Sequence, residues 1–331
     1  MMAKELGVLL KQIDAKKTIV AKFDHSASAI KRDFLEWVKI EQTYNSNAIE
    51  GNTLSRKETA EVGLKGLTIA GKSIVEHLEV INHIEAFEYM FELSGDKKSK
   101  IIKRDVLLLH QIILWNIDQS NAGIYRTVDV RISGSDVVLS SHLKIEEEMV
   151  KLIKYMNSSH KLHPVLFAAQ VHLRFVTIHP FIDGNGRTAR LLMNLLLIKE
   201  GYPITTIYNK NRTEYIECLE YAQLSNDESP FNNFIARKVL EAYRQYPSQT
   251  SKKINSSRAD GLMKIGELSK ITSTPVSTLR FWTDKGLLEV SEISKSRYRY
   301  YDSSAIKRVK QITKLQNDRL TIMEIQQKLS E

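Results

Sequence analysis

Residues 179–190 constrain this chain more than any other stretch. His179-Pro180-Phe181-Ile182-Asp183-Gly184-Asn185-Gly186-Arg187-Thr188-Ala189-Arg190 runs straight into Leu191-Leu192-Met193-Asn194-Leu195-Leu196-Leu197-Ile198-Lys199-Glu200. The second half is a strong helix former that stops at Gly201 and Pro203. Gly184-Asn185-Gly186 therefore sits at a helix N-terminus. Free backbone N–H groups and the positive end of the helix dipole meet there and favour an anion. Two glycines let the backbone approach a phosphate with no Cβ in the way.

The side chains around this nest have matching chemistry. Arg187 and Arg190 are three apart and share one face of the first turn. Their guanidinium forks suit phosphate oxygens. Asp183 beside phosphates calls for an intervening cation, and Mg²⁺ characteristically takes one carboxylate plus substrate phosphates. His179, with an ordinary pKa of about 6.5, accepts a proton at neutral pH. A base, a metal, a phosphate cradle and an open edge suit attack by a protein hydroxyl on a nucleotide phosphate, the oxyanion charge being met by the nest and the arginines.

The run matches His-x-Phe-x-Asp/Glu-Gly-Asn-Gly-Arg-x-x-Arg at every defined position and so resembles the Fic family motif. His163-Pro164 and Ala168–Phe175 look like the family's preceding helix, and Gly123–Ser135 like its flap hairpin. The resemblance covers roughly residues 35–240. It implies that His179 deprotonates the target hydroxyl and that Asp183 holds Mg²⁺. It further implies that Gly184, Asn185 and Gly186 bind the α- and β-phosphates of ATP, and Arg187 and Arg190 the β- and γ-phosphates. The implied reaction moves AMP from ATP to a Tyr, Ser or Thr of a protein, which could include the chain itself. Phe181 is expected to be a core peg. Val128–Ile132 alternates in polarity as a short strand does, Ser133-Gly134-Ser135 can turn it back into Asp136–Leu139, and an exposed edge at Val130, Arg131 and Ile132 could hold a target segment by backbone hydrogen bonds.

Ser46-Asn47-Ala48-Ile49-Glu50-Gly51 follows a helical segment, with Ser46 and Glu50 on one face and Gly51 ending the turn. It is similar to the family's inhibitory signature, Ser/Thr-x-x-x-Glu-Gly/Asn. That similarity implies an ion pair from Glu50 to Arg190 that occupies the γ-phosphate position.

The chain carries a net charge of +9, yet residues 251–331 alone hold 16 Lys and Arg against 9 Asp and Glu. Ser248–Arg258 is polar and reads as a linker. Lys264–Ile271 reads as a short helix. Thr274 is placed to N-cap a second one that begins at Pro275 and ends before Gly286. Two short helices with a tight turn suit DNA reading, and Ser294–Tyr301 interleaves aromatics with bases as a backbone-contacting wing does. Ile265–Leu268, Thr278–Trp282, Gly286–Leu288 and Tyr298–Tyr301 resemble the MerR family's DNA-binding domain, although Arg297 stands where that family has glycine. Ser277 and Arg280 would then lie on the recognition helix, with Arg299 and Tyr300 touching phosphates from the wing. No small-molecule sensor domain is expected. A monomeric module binds DNA weakly unless the Fic-like body forms a homodimer and presents two copies.

Helical spacing dominates Val75–Leu93, Val106–Asn116, Ile145–Met156, Val165–Ile178, Arg187–Glu200 and Arg212–Gln223. The expected fold class is all-α: a Fic-type helical bundle with a short β-hairpin flap, plus a small winged helix-turn-helix domain. The expected domains are an N-terminal helical region at 1–100 with an inhibitory helix near 40–51, a catalytic core at 101–245, a linker at 246–262 and a DNA-binding domain at 263–331. Cys218 is the only cysteine, the N-terminus lacks an apolar signal core, and no apolar run approaches a membrane span, so a cytoplasmic protein that contacts no membrane is expected. His110, His163 and His172 read as core or polar-network residues. The leading function is protein adenylylation with Mg-ATP, autoinhibited by Glu50. The alternative is a DNA-binding regulator whose Fic-like body is a nucleotide-responsive switch.

Overall fold

The computed structural model describes residues 2–24, 28–132, 134–246, 262–272, 274–293, 299–317 and 322–330. The chain divides into two compact units, Met1–Ser248 and Gln249–Glu331.

The larger unit is a helical bundle of α1 (Met2–Ala15), α2 (Lys17–Asp24), α3 (Ser28–Ile49), α4 (Arg56–Lys65), α5 (Ile74–Ser94), α6 (Lys103–Ile113), α7 (Ile145–Met156), α8 (Pro164–Ile178), α9 (Asn185–Lys199), α10 (Arg212–Ser225) and α11 (Ser229–Ala242). Local chemistry sets the ends. Ser55 and Ser73 cap α4 and α5 in reciprocal capping boxes with Glu58 and Glu76. Pro164 opens α8, and His163 accepts the Val165 N–H there. At the centre α8 packs on α9, which is buried on every side from Arg187 to Leu197. A helix with no side left to solvent belongs in the middle of a core. α5 and α6 flank α9, while α7 and α11 flank α8. A satellite cluster of Ile40, Leu54, Val62, Val80 and Ile84 locks α3 and α4 onto α5, which fixes the end of α3 relative to α9.

The flap departs from the expected hairpin. Residues 127–132 and 134–140 form no strand and pair in no ladder among the described residues. Ser135 N–H closes a turn onto Ile132 O at 3.2 Å. Side chains take over the ladder's role. The Arg126 guanidinium donates to Val128 O and Ser140 O, and Asp129 accepts the His142 N–H. The tip is tied by the Ser135 hydroxyl to Glu220 at 2.6 Å.

The smaller unit comprises β1 (Met263–Lys264), α12 (Ile265–Thr272), α13 (Val276–Asp284), β2 (Glu292–Ile293), β3 (Arg299–Tyr301), α14 (Ser304–Asn317) and α15 (Ile322–Ser330). Its antiparallel sheet runs β1-β3-β2, with Lys264 and Glu292 both opposite Tyr300. Leu268, Leu279, Trp282, Leu287, Leu288, Tyr301, Ile312 and Ile325 form its own core. Thr274 does not cap α13. Its hydroxyl donates back to Thr272 O at 3.2 Å, and Pro275 is the cap residue instead. Gly286 ends the helix at φ +72°, as its sequence position suggests. Arg297 and most of the expected linker lie outside the described residues.

Candidate active site

His179 terminates α8 in the left-handed conformation, φ +51°, with its N–H on Phe175 O at 2.9 Å. Its ring Nδ1 faces Val176 O at 3.1 Å. A carbonyl only accepts, so Nδ1 carries the proton and Nε2 keeps a lone pair. Burial pushes the imidazole below its ordinary pKa. The group is therefore neutral and basic at Nε2 near pH 7.

The turn after it is clamped from three sides. Phe181 is fully buried and stacks on His110 with ring centroids 3.5 Å apart. Asn185 clasps the Phe181 peptide, accepting its N–H at 3.0 Å and donating to its O at 2.9 Å. His110 accepts the Gly123 N–H at Nδ1 and donates from Nε2 to Asp183 O, both at 2.9 Å. That pattern requires a neutral ring, and burial holds His110 at about 4. Gly184 adopts φ +75° with the His110 ring against it, so a Cβ there would sit 3.2 Å from two ring atoms. The first intrahelical bond of α9 runs from Thr188 N–H to Gly184 O. The N–H groups of Asn185, Gly186 and Arg187 thus precede it and form the anion nest. The Asn185 side chain itself is taken up by Phe181, so only its backbone faces the nest.

Both motif arginines meet carboxylates. Arg190, 4% exposed, donates from Nη2 to Glu50 Oε1 at 2.7 Å and to Ser46 O at 2.9 Å, and from Nε to the Ser46 hydroxyl at 2.9 Å. Burial opposes its charge, but Glu50 and Tyr215 outweigh that and raise its pKa. Tyr215 in turn meets His172 Nε2 at 2.9 Å. Arg187, 2% exposed, donates from Nη1 to Glu79 at 2.9 Å and from Nη2 to Asp183 at 3.1 Å, and its Nε has no hydrogen-bond partner. A methyl group on Gly186 would overlap Glu50 Oε1. The Glu50 carboxylate therefore rests on the glycine surface that a phosphate would use.

Sequence reasoning missed Glu79. It lies on α5, accepts from Arg187 through Oε1 and from Asn52 through Oε2 at 2.8 Å, and so bridges the segment after Glu50 to the motif. Nothing local to residue 79 signals a partner 108 residues away. Val130 is half-buried, and Arg131 and Ile132 are exposed on the flap. His163 and His172 sit in polar networks as expected, His163 against Asp14 at 3.1 Å.

The donors fit Mg²⁺ in its usual manner. Asp183 offers a carboxylate that is 67% exposed, beside a nest and an orphaned Arg187 Nε that would receive phosphate oxygens. Among the described residues no cluster of three metal-ligating side chains exists, so Asp183 would hold the ion together with substrate phosphates and water. Among those residues, too, no helix is long and apolar enough to cross a membrane.

In the smaller unit, Ser277 and Arg280 share α13, and Arg280 and Arg299 are exposed. Tyr300, at 5% exposure, is buried in the middle strand.

Residues 100–197 match the model of the Fic/DOC family, and residues 263–331 match that of the MerR HTH family regulatory proteins. A protein adenylyltransferase Fic of Drosophila persimilis is 36% identical over 239 residues, 71% of this chain and 46% of that one. One from Nematostella vectensis is 35% identical over 240 residues, 71% and 55% of the two chains. The chain thus spans about half the length of these curated relatives. The solved structure of a Fic-1 fragment from C. elegans superposes with a TM-score of 0.66 at 31% identity, covering 72% of each chain.

Proposed function

The chain belongs to the Fic/DOC family, and from that membership we propose that it is a protein adenylyltransferase that moves AMP from Mg-ATP to a Tyr, Ser or Thr hydroxyl of a target protein, a second copy of itself included. The observation that carries this reading is the free Nε2 of His179 beside an anion nest whose place is held by the Glu50 carboxylate. His179 Nε2 takes the hydroxyl proton as the target oxygen bonds to the α-phosphorus, and the bond to the bridging oxygen of the β-phosphate breaks to release pyrophosphate. Backbone N–H groups of the nest receive the developing oxyanion charge. Arg187 and Arg190 hold the outer phosphates once their carboxylate partners withdraw. Asp183 would hold Mg²⁺, which supplies charge neutralisation across the phosphates. The stretch Val130–Ile132 would hold the target by backbone bonds, since no ladder partner occupies it among the described residues.

Glu50 keeps the enzyme off. ATP binds productively only when the Arg190 pair opens. The smaller unit, with Ser277, Arg280 and Arg299, would bring this activity to DNA as a homodimer, in the cytoplasm. The pure switch alternative is not favoured, because a switch has no use for an imidazole tautomer poised as a base. Incubation with α-labelled ATP and Mg²⁺ tests the proposal. Protein-bound label that disappears in His179→Ala supports it, and label from γ-labelled ATP alone would mean phosphoryl transfer instead.

A further inference from the structure

We propose that Arg126 is a positioning residue, a buried guanidinium that ties both ends of the flap to the backbone of the catalytic base. The inference rests on the adenylyl-transfer reading above.

The Arg126 side chain is fully buried. Its Nε donates to His179 O at 2.8 Å, and Nη2 reaches Ile178 O at 3.5 Å. Nη1 donates to Val128 O at 2.6 Å and Nη2 to Ser140 O, the entry and exit of the flap. The Arg126 backbone N–H adds a bond to Pro180 O at 2.9 Å. The carbonyls of three consecutive residues, Ile178 to Pro180, thus converge on one arginine. Its side-chain charge partner is Asp129 at 3.6 Å, which is mostly exposed.

A loop pin would need one or two of these bonds. The full set does more, because of what the acceptors belong to. His179 sits at φ +51°, a conformation a non-glycine residue keeps only when its surroundings over-determine it. Bonds to the carbonyls of Ile178, His179 and Pro180 supply that constraint. The flap has no backbone ladder among the described residues, so the guanidinium, together with the Asp129–His142 pair, cross-links its two ends. The rigid fork of donors then fixes the distance from a segment docked on Val130–Ile132 to His179 Nε2. A base must come within about 2.6–3.2 Å of the proton it takes, and a displacement of about 1 Å can cost on the order of 100-fold in rate. Lysine, a point charge with three rotatable donors, cannot reproduce the planar fork.

Electrostatics adds a separate readout. Burial is the main cause that lowers His179, and the Arg126 charge lowers it further, against Glu50 and Asp183. Lysine keeps this charge and loses the geometry; glutamine loses both.

The test uses the full chain in a Glu50→Gly background, reading labelled AMP incorporated into the chain itself. R126K should lower incorporation on the order of 100-fold with Mg-ATP affinity within about twofold, since the phosphates bind at residues 184–190. R126Q should do the same and also shift the acidic limb of the pH profile upward, which R126K should not. Amide hydrogen exchange should accelerate across the flap and at Ile178 and His179 in both. Unchanged incorporation alongside faster flap exchange would overturn the inference. So would Mg-ATP affinity falling in step with incorporation, which would make Arg126 a support of the fold alone. If R126Q fails to fold, R126K carries the test. If the Glu50→Gly parent itself incorporates no label, the adenylyl-transfer reading fails; flap exchange and the ¹⁵N titration of His179 then still decide whether Arg126 links the two.

Discussion

Glu50 Oε1 accepts from Arg190 Nη2 at 2.7 Å across 140 residues of sequence, while the same oxygen covers Gly186 at the mouth of the anion nest. One carboxylate thus satisfies the buried guanidinium and, on the adenylyl-transfer reading, would stand where a phosphate goes. If the open state is about 1% populated, productive ATP affinity falls about a hundredfold, or roughly 2.7 kcal/mol. A single charge-assisted pair at a largely buried arginine can supply that. Glu50→Gly should therefore raise incorporation of labelled AMP by as much as about a hundredfold. Purified Glu50→Gly that incorporates no more than wild type would sink the lid assignment.

Gly186→Ala separates the lid from the cradle. Its methyl group would overlap Glu50 Oε1 and sit 3.0 Å from Arg190 Nη1. Loosening the lid alone would make this variant more active. The methyl also fills the surface a phosphate must approach, so it should abolish transfer even when combined with Glu50→Gly. Mg-ATP titration of the double variant checks this. Affinity equal to that of Glu50→Gly alone would show that the phosphate does not pass over Gly186.

Three buried histidines set the acid limit of stability. Burial holds His83 and His172 at about 3 and His110 at about 4. Unfolded, each takes a proton near pH 6.5; folded, each stays neutral until far lower. Their contribution is thus fully present above about pH 6.5 and is lost as pH falls toward 4, at about 1.4 kcal/mol per pH unit for each. In His172→Asn the baseline stability will drop, but the slope is what matters. Between pH 6 and 4.5 it should be shallower than wild type by about 1.4 kcal/mol per unit, measured by urea unfolding of the full chain. Equal slopes would refute the account.

The motif was legible because residues 179–190 carry their own turn and helix start. Its glycines, capping position and arginine spacing are all local. The same holds for α5 to α10, whose 3.6-residue periodicity places them within a few residues of their observed ends. Ser46 and Glu50 were legible through their resemblance to the family's inhibitory signature, and they converge on Arg190. What stayed hidden was pairing across the fold. Glu79 and Arg126 are ordinary charges in sequence, and only packing brings them to Arg187 and to the His179 carbonyl. The flap shows the cost of reading alternation alone. Val128–Ile132 has a strand's pattern, but Arg126 and Asp129 take bonds that a ladder would have used. Thr274 has a cap's identity, yet the Thr272 carbonyl claims its hydroxyl.

Arg280 offers the cleanest test of the smaller unit, because it is exposed on α13 and lies outside the catalytic bundle. A cationic side chain that neutralises one phosphate releases about one counterion, so its loss should reduce the salt dependence of binding by about one unit of slope. Fluorescence anisotropy on a mixed-sequence duplex between 50 and 200 mM salt, a range set by the steepness of such binding, reads this directly. Arg280→Ala should bind more weakly at low salt and lose less affinity as salt rises. AMP incorporation in the absence of DNA should match the parent, since no residue of the nest or its clamps belongs to this unit. An unchanged slope with unchanged affinity would remove α13 from any DNA contact and leave the basic face to another partner.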